Sequence, residues 1–476
     1  MTFFKRSCRR RAVFKKKAQI TVWMSLCFLV FLALYLICLE SVRKQSARRR
    51  AEQEVENGLF SLFSEYEPHL LEEYGLFYLD TSFRTGTERT DELCSHLWSF
   101  MEENTVGLTG KPIENVRLMG INVDELVRAT DGDGAVFYRQ AVRAMKQRVG
   151  AAAVEDWILQ AGAREEQAEA SRVYQEDYDS YRGAVVDYED EEDELEGEAF
   201  RWDGLADGFV FSMAVPGGAV VSDRSVSLTG APSRRTLSRG AGAALGDEDG
   251  IIQKQWFISY LCEYMKNAPD LLPKGRPEGY LDYQMEYILC GHGSDRANLE
   301  QVILELLLLR EGVNYAFLLT HAEYQDQAEL LAYALAGLTG NEGLVQAVKH
   351  LILLGWAYGE SLTEVRQLLQ GYELALVKGD ESWQVPLWGL LGMIGDPGRY
   401  DIQKNRQSGL DYEAYLRMLL TLLPARTLAM RSLDVIEGEL QLLDGGEKLH
   451  VDHCVESLNA QVWMDGIYLE RTYGYE

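Results

Sequence analysis

Polar and apolar positions are segregated along this chain. Residues Ile20–Leu39 form an apolar-leaning run of twenty between two basic clusters, in "KKKAQITVWMSLCFLVFLALYLICLESVRKQSARRR". At about 1.5 Å per residue that run spans roughly 30 Å, the thickness of a hydrocarbon core. A cleavable signal has a shorter apolar region followed by a small-x-small site. Here "CLESVRKQSARRR" follows, a basic stop-transfer-like patch, so the run is expected to stay as a transmembrane helix. Beyond it Val55, Leu59, Leu62, Phe63 and Tyr66 recur at helical spacing, and Gly58 weakens that stripe. Pro68 marks a break. The runs "VILELLLLREGVNYAFLLT" and "LVQAVKHLILLGWAYG" are interrupted by Glu305, Arg310, Glu311, Lys349 and His350, so they read as buried helices of a globular body.

Further on, "NVRLMGINV" (within 113–123), "GYLDYQMEYILC" (280–290) and 456–473 read as strands. Helices are expected near 295–310, 312–337, 341–357, 360–377, 386–394, 410–423 and 427–443. The fold class is α+β: an N-terminal transmembrane helix extending into a stalk helix, a small antiparallel sheet, and a large helical insertion between two of its strands. The segments are a basic tail (1–17), the transmembrane helix (18–39) and the stalk helix with the first α/β part (40–150). An acidic and Gly/Ser-rich linker (151–250) follows, then a sheet-forming segment (251–294), a helical subdomain (295–443) and C-terminal strands (444–476). Within the linker "DYEDEEDELEGE" is self-repelling, and "MAVPGGAVVSDRSVSLTGAPSRRTLSRGAGAALGDEDG" reads as an exposed long loop.

Charge sharpens the picture. Of 47 Lys/Arg and 74 Asp/Glu, thirteen bases and one acid, Glu40, lie in the first fifty residues, leaving 34 bases against 73 acids and a net charge of −39 beyond them. Such a body repels phosphate backbones, so nucleic acid is excluded as a partner. Eight bases precede the apolar run and five follow it. The heavier cluster resists translocation, which places the N-terminus in the cytoplasm and the acidic body outside, with membrane lipid contacted through residues 18–39.

Several constellations resemble chemistry and fail on pattern. "GHGSD" places His292, Ser294 and Asp295 close together but lacks the G-x-S-x-G of a nucleophile elbow, and Ser294 or Asp295 suits a helix cap. "HVDHC" offers His450, Asp452, His453 and Cys454 as metal ligands, yet a strand would split them between two faces. Asp131-x-Asp133 in "TDGDG" has the opening spacing of a calcium loop without its later ligands, and reads as a turn. No P-loop, G-x-G-x-x-G or H-E-x-x-H occurs. No catalytic, cofactor-binding or metal residue is therefore assigned, and no cofactor is expected. Cys94, Cys262, Cys290 and Cys454 fall outside the membrane in this topology, where three pairings are open to them; burial as thiols is the alternative. The tyrosine-rich "YEPHLLEEYGLFYLD" and "YLERTYGYE" suit either half-buried packing or an exposed assembly surface.

The segments "ITVWMSLCFLVFLALYLICLESVR", "SLFSEYEPHLLEEYGLFYLD", "LDYQMEYILCGHGSDRANLEQVILELLLLREGVNYAFLLT", "SGLDYEAYLRMLLTLLP" and "LAMRSLDVIE" together resemble a family of Gram-positive bacterial single-pass membrane proteins. That family is associated with tight-adherence (Flp-type) pilus systems and classed as a domain of unknown function. The resemblance implies a pilin-like N-terminal helix, pilus or envelope assembly proteins as partners, and no catalytic residues. One departure stands out. A type IV prepilin carries a glutamate shortly after its processing site, where cleavage following Ala18 would place Trp23. The expectation is a non-enzymatic, pilin-like or pilus-associated component of the cell envelope. The alternative is an envelope enzyme or ligand-binding receptor whose site arises only in three dimensions.

Overall fold

Leucine, alanine and phenylalanine with no proline carry one helix, α1 (Arg10–Phe63), through 54 residues, a length of about 80 Å. The computed structural model describes residues 10–105, 117–149, 210–246, 250–271, 279–379, 382–393, 395–400 and 409–475. The acidic run and the rest of 150–209 lie outside them. The described chain divides into two units: residues 1–66, 89–126 and 457–476 form the first, and residues 67–88 and 127–456 the second.

In the first unit α1 changes character along its length. Hydrophobic residues from Ile20 to Leu39 are exposed, Phe31 by 71%, and among the described residues this is the one helix long and apolar enough to cross a membrane. Ala51, Val55, Leu59 and Leu62 are then fully buried and Phe63 nearly so. This is the stripe expected from the sequence except at Tyr66, which lies beyond the end of α1 and is 37% exposed; it packs on α3 (Thr90–Thr105) and on a C-terminal strand. Leu93, Leu97 and Met101 supply the buried face of α3. Gly58 has a positive role in this packing: a Cβ there would lie 2.5 Å from Met101 Cγ, so the missing side chain is what lets α3 approach. Strands β3 (Cys454–Met464) and β4 (Ile467–Gly474) form an antiparallel hairpin from Met464↔Ile467 to Ser457↔Gly474. Its turn residues Asp465 and Gly466 both have positive φ, as a two-residue primed turn requires. Strand β2 (Leu118–Arg128) flanks β3 on its other side. Asp124 accepts from Asn459 at 3.1 Å and from Gln461 at 2.9 Å, tying the two strands together. The Phe63 ring meets Tyr473 at a tilt and Tyr475 edge-on, and the Tyr475 hydroxyl donates to the Phe63 carbonyl.

The second unit holds the short α2 (Pro68–Tyr74) and β1 (Leu79–Asp80), the latter paired with Cys454 and Val455 of β3. The remainder is mostly helical: α4 (Asp131–Val149), α5 (Ile251–Tyr264), α6 (Gln284–Cys290), α7 (Asp295–Thr320), α8 (Ala322–Ala336), α9 (Glu342–Leu369), α10 (Tyr412–Leu422) and α11 (Ala425–Leu440). Its core is unbroken from Leu70 and Tyr78 through Trp256 and Tyr287 to Leu433 and Cys454. A small antiparallel four-stranded sheet with a large helical insertion is thus the architecture, and the insertion lies between β2 and β3.

Three expectations are corrected. Residues 280–290 are not a strand; α6 occupies 284–290 and ends at Gly291 with φ 81°. Residues 284–289 are all buried, and a short segment buried on every side carries no period that separates strand from helix. The breaks expected near 311 and 359 are absent, because Arg310, Glu311 and Glu360 are polar residues inside the continuous helices α7 and α9. Residues 210–246 open with a helical turn at 210–214 and are irregular after it apart from the 3₁₀ turn Leu228–Gly230; most of 215–246 is exposed or half-buried, as expected of a long loop, but the stretch is anchored to the body. Val210, Phe211, Met213 and Ala214 are buried, and Ser222 bonds to Asp295 through its side chain.

Candidate functional site

Each motif singled out in the sequence has a definite local role. In "GHGSD", the His292 amide donates to Asn298 Oδ1 and the Asn298 amide donates back to the His292 carbonyl, both at 2.8 Å. The imidazole meets Gln301 at 2.7 Å. Ser294 stands at the cap position of α7 without a side-chain cap bond. Asp295 is fully buried and accepts from Ser222 Oγ and from the amides of Asp282 and Tyr283 at 2.7–3.1 Å. This is a turn clamped onto α7. In "TDGDG" residues 132–134 all have positive φ. Asp131 accepts from the amides of Arg128, Gly240 and Gly242 at 2.7–3.0 Å, whereas Asp133 pairs with Arg426 at 3.2 Å. The two carboxylates serve separate partners. Cys94, Cys262, Cys290 and Cys454 are not joined in disulfides, and burial pushes the Cys290 and Cys454 thiols well above their ordinary range.

"HVDHC" is not a strand up to Cys454. Val451–His453 is a single 3₁₀ turn, and β3 begins at the cysteine. The turn gathers His450 and Asp452 with Glu437 of α11, their ligand atoms lying within 4.8 Å of one another. The space between them belongs to Arg235, whose guanidinium pairs with Glu437 and, at 2.5 Å, with Asp452. Ser238 N–H completes Asp452 at 3.0 Å. Although burial opposes it, Arg235 holds the Asp452 carboxyl below its usual range. His450 gains a proton more readily because Glu437 lies 3.4 Å away. A guanidinium fork on two carboxylates leaves one net negative charge, which His450 offsets when protonated, and a metal ion would have to displace the guanidinium.

A second buried cluster was not anticipated. Arg310 of α7 has no solvent exposure and grips Glu364 of α9 through Nε at 2.9 Å and Nη2 at 2.8 Å. Its Nη1 donates to the carbonyls of Ala375 and Leu376 and to the Tyr415 hydroxyl. Lys378 reaches Glu364 at 2.7 Å and also bonds Glu360. Glu360 accepts the amides of Gln384 and Val385. Burial acts to raise the Glu364 carboxyl, but Arg310 and Lys378 outweigh it and hold the group low. Two cations and two carboxylates thus cancel, and they fasten the backbone at Ala375, Leu376, Gln384 and Val385 to two helices.

One concave feature among the described residues of the second unit lies on α4. Arg139, Arg143 and Lys146 recur at i, i+4 and i+7, which sets them on one helix face. With Gly242, Gln253 and Glu456 they help to line a cleft of about 500 Å³. Arg139 donates to the carbonyls of Ala243 and Ala244 at 3.0 and 2.6 Å. Lys146 donates to Gln253 Oε1 at 2.6 Å, and partial burial lowers its ammonium pKa. Arg143 pairs with Glu456, whose carboxyl burial raises against the pull of Arg143. Among the described lining residues three are basic and one, Glu456, is acidic. The spacing was present in "YRQAVRAMKQ"; its meaning appears only against a body otherwise so acidic.

Residues 188–466 match the family model described as "Family of unknown function (DUF5702)". The chain belongs to this family. Neither the curated proteins nor the solved structures contain a match to it. The DUF5702 region takes in the Arg235 cluster and the Arg310–Lys378 network. The cleft of this DUF5702 protein draws Gly242, Gln253 and Glu456 from the matched region, while α4 and the apolar half of α1 precede it.

Proposed function

We propose that this protein is a non-enzymatic, single-pass component of the cell envelope, pilin-like in plan and associated with tight-adherence-type pilus assembly in Gram-positive bacteria. Its N-terminus is cytoplasmic and its acidic body extracytoplasmic. The observation that carries the reading is the two-part helix α1. The apolar-leaning run Ile20–Leu39, its large hydrophobic residues exposed, continues without a break into a segment whose buried stripe packs on α3 and β4. A span continuous with the helix that packs on the sheet couples the body to neighbours within the bilayer, which is what an assembly subunit needs. The polar clusters of the body support the same reading, since their carboxylates and cations are occupied in mutual pairs and backbone clamps. The paired bases on both sides of the span support membrane retention.

A photocrosslinker at Phe60, exposed by 67% on α1, tests this in cells of the native host. Crosslinks to pilins or pilus-platform proteins are expected. Recovery only as an isolated monomer overturns the assembly role, and a body resistant to protease added to intact cells overturns the orientation. A ligand-binding receptor is the second reading, favoured by the α4 cleft.

A further inference from the structure

We propose that the tip of the α8–α9 hairpin dips into the acyl boundary of a lipid bilayer, a shallow membrane contact additional to α1. The two helices are joined by a short turn and pack along each other. Glu329 and Lys349 pair at 2.8 Å, and between them residues 330–348 carry a single charged side chain, Glu342. Acids resume on the first turns of α8, where Glu323 and Asp326 are exposed. The tip also reverses the side-chain order of a hairpin built for water, in which large apolar residues face inward. Ala328 clusters with Leu353 and Trp356 of α9, and Ala332 and Ala336 with Val345, in a small core separate from the main one. The large residues point outward instead. Leu330 is 71% exposed, Leu335 66% and Leu338, in the turn, 99%, and Tyr333 and Leu344 are exposed beside them. At about 3.6 residues per turn, Tyr333, Leu330 and Leu335 spread over roughly 200° of α8. A docked protein or a second copy covers one face, whereas an apolar medium covers them all, and small residues between helices with large ones outside is the order that lipid favours. The turn suits such a medium. Thr339 Oγ1 donates to the Ala336 carbonyl at 2.7 Å, and Asn341 Oδ1 accepts from the Gly343 and Leu344 amides at 3.0 and 3.2 Å, so these side chains spend their bonds on the backbone. The depth is limited. Residues 330–338 rise about 12 Å, under half of a hydrocarbon core, and Glu342 with Gln346 one turn later gives α9 a polar side that stays at the headgroups. Tyr333 fits that level with an apolar ring and a polar end. The exposed acids select uncharged lipid over anionic. The inference concerns the second unit alone and is separate from the pilus-related reading; it uses the membrane reading only in that α1 holds the protein at a bilayer.

Photocrosslinking of the full chain in phosphatidylcholine vesicles tests it. Leu338→benzoylphenylalanine should give, on irradiation, a covalent phospholipid adduct identified by mass spectrometry. The same crosslinker at Phe31 reports lipid contact in the apolar half of α1, and at Val220, 58% exposed in the second unit, it reports solvent. Adding L330E/L335E, two changes at exposed positions, should lower the Leu338 adduct about tenfold or more, with the Phe31 adduct and the urea midpoint unchanged. The proposal is overturned by absence of a phospholipid adduct at Leu338, by one no greater than at Val220, by a covalent dimer of the chain in its place, or by an adduct that L330E/L335E leaves as it was. A phospholipid adduct at Leu338 without one at Phe31 supports the hairpin contact and removes the membrane reading of α1.

Discussion

Glu364→Gln isolates the weight of the buried ion network. In the native protein Arg310, Lys378, Glu360 and Glu364 sum to zero charge, with side-chain exposures between 0 and 3%. The substitution keeps shape and hydrogen-bonding oxygen but leaves one uncompensated cation. Glu364 Oε1 and Oε2 together take two bonds from Arg310, one from Lys378 and one from Asn314, all between 2.7 and 2.9 Å. Opposite charges about 4 Å apart interact by roughly 4 kcal/mol at an effective dielectric of about 20, and breaking one partner from a buried pair costs about 3–5 kcal/mol. The expected loss is in that range. Urea unfolding followed by tryptophan fluorescence reads it locally, because the Trp383 ring lies 5.4 Å from Lys378 Nζ and 5.7 Å from Trp356. If uncompensated charge is the cause, R310M/E364Q restores neutrality and is less destabilised than the two single changes summed, by at least about 1 kcal/mol. The sign with pH follows. Because Arg310 and Lys378 hold the folded carboxyl below its unfolded value, its contribution is complete above the unfolded value and disappears as pH falls through the folded one. Glu364→Gln should therefore remove part of the acid sensitivity below about pH 4.5. A loss under about 1 kcal/mol, or strict additivity in the cycle, refutes the reasoning.

Two other predictions concern buried acids of the second unit. Burial pushes Glu286 up to about 7, against hydrogen bonds from Ala268 N–H and the Tyr412 hydroxyl. The folded state therefore keeps a proton that the unfolded chain releases, so stability is greatest below about pH 4.5 and declines as pH rises to 7. Glu286→Gln should flatten that decline, on the order of 3 kcal/mol, measured as urea midpoints from pH 4.5 to 8; an unchanged slope rejects it. Arg235→Ala vacates the centre of Glu437, His450 and Asp452. Zinc should then raise the melting temperature of the variant and leave that of the unaltered chain in place, whereas equal shifts in both show that Arg235 is not what keeps a cation out.

How far the sequence reaches depends on the distance over which each feature is decided. The stripe Val55, Leu59, Leu62 and Phe63 is local periodicity, and it sits where expected. The α+β class and the C-terminal strands follow in the same way from short-range patterns. Residues 280–290 mislead because what surrounds them comes from elsewhere: Glu286 meets Tyr412, and Tyr287 meets Asp434. Gly58 misleads for a related reason. Taken alone, it costs a helix about 1 kcal/mol; opposite Met101 it is the gap into which α3 packs.

The charged residues make the same point more sharply. Arg310 within "LLLLREG" marks that run as a helix of the globular body, because an isolated guanidinium is costly in lipid, and Arg310 is indeed buried inside that body. That argument stops at the residue itself. Its partner Glu364 lies 54 positions away, and Lys378 a further 14 beyond Glu364. Asp452 likewise meets an arginine 217 positions back. In a chain with 73 acids beyond its first fifty residues, carboxylate spacing carries almost no information, and what becomes informative is the exception. A cation buried at zero exposure must have recruited acids, while cations repeated at i, i+4 and i+7 on an acidic body have an electrostatic consequence wherever they face. Arg310 and the Arg139–Arg143–Lys146 face therefore belong together as features to be sought first in an acidic sequence, before any acid pair is considered.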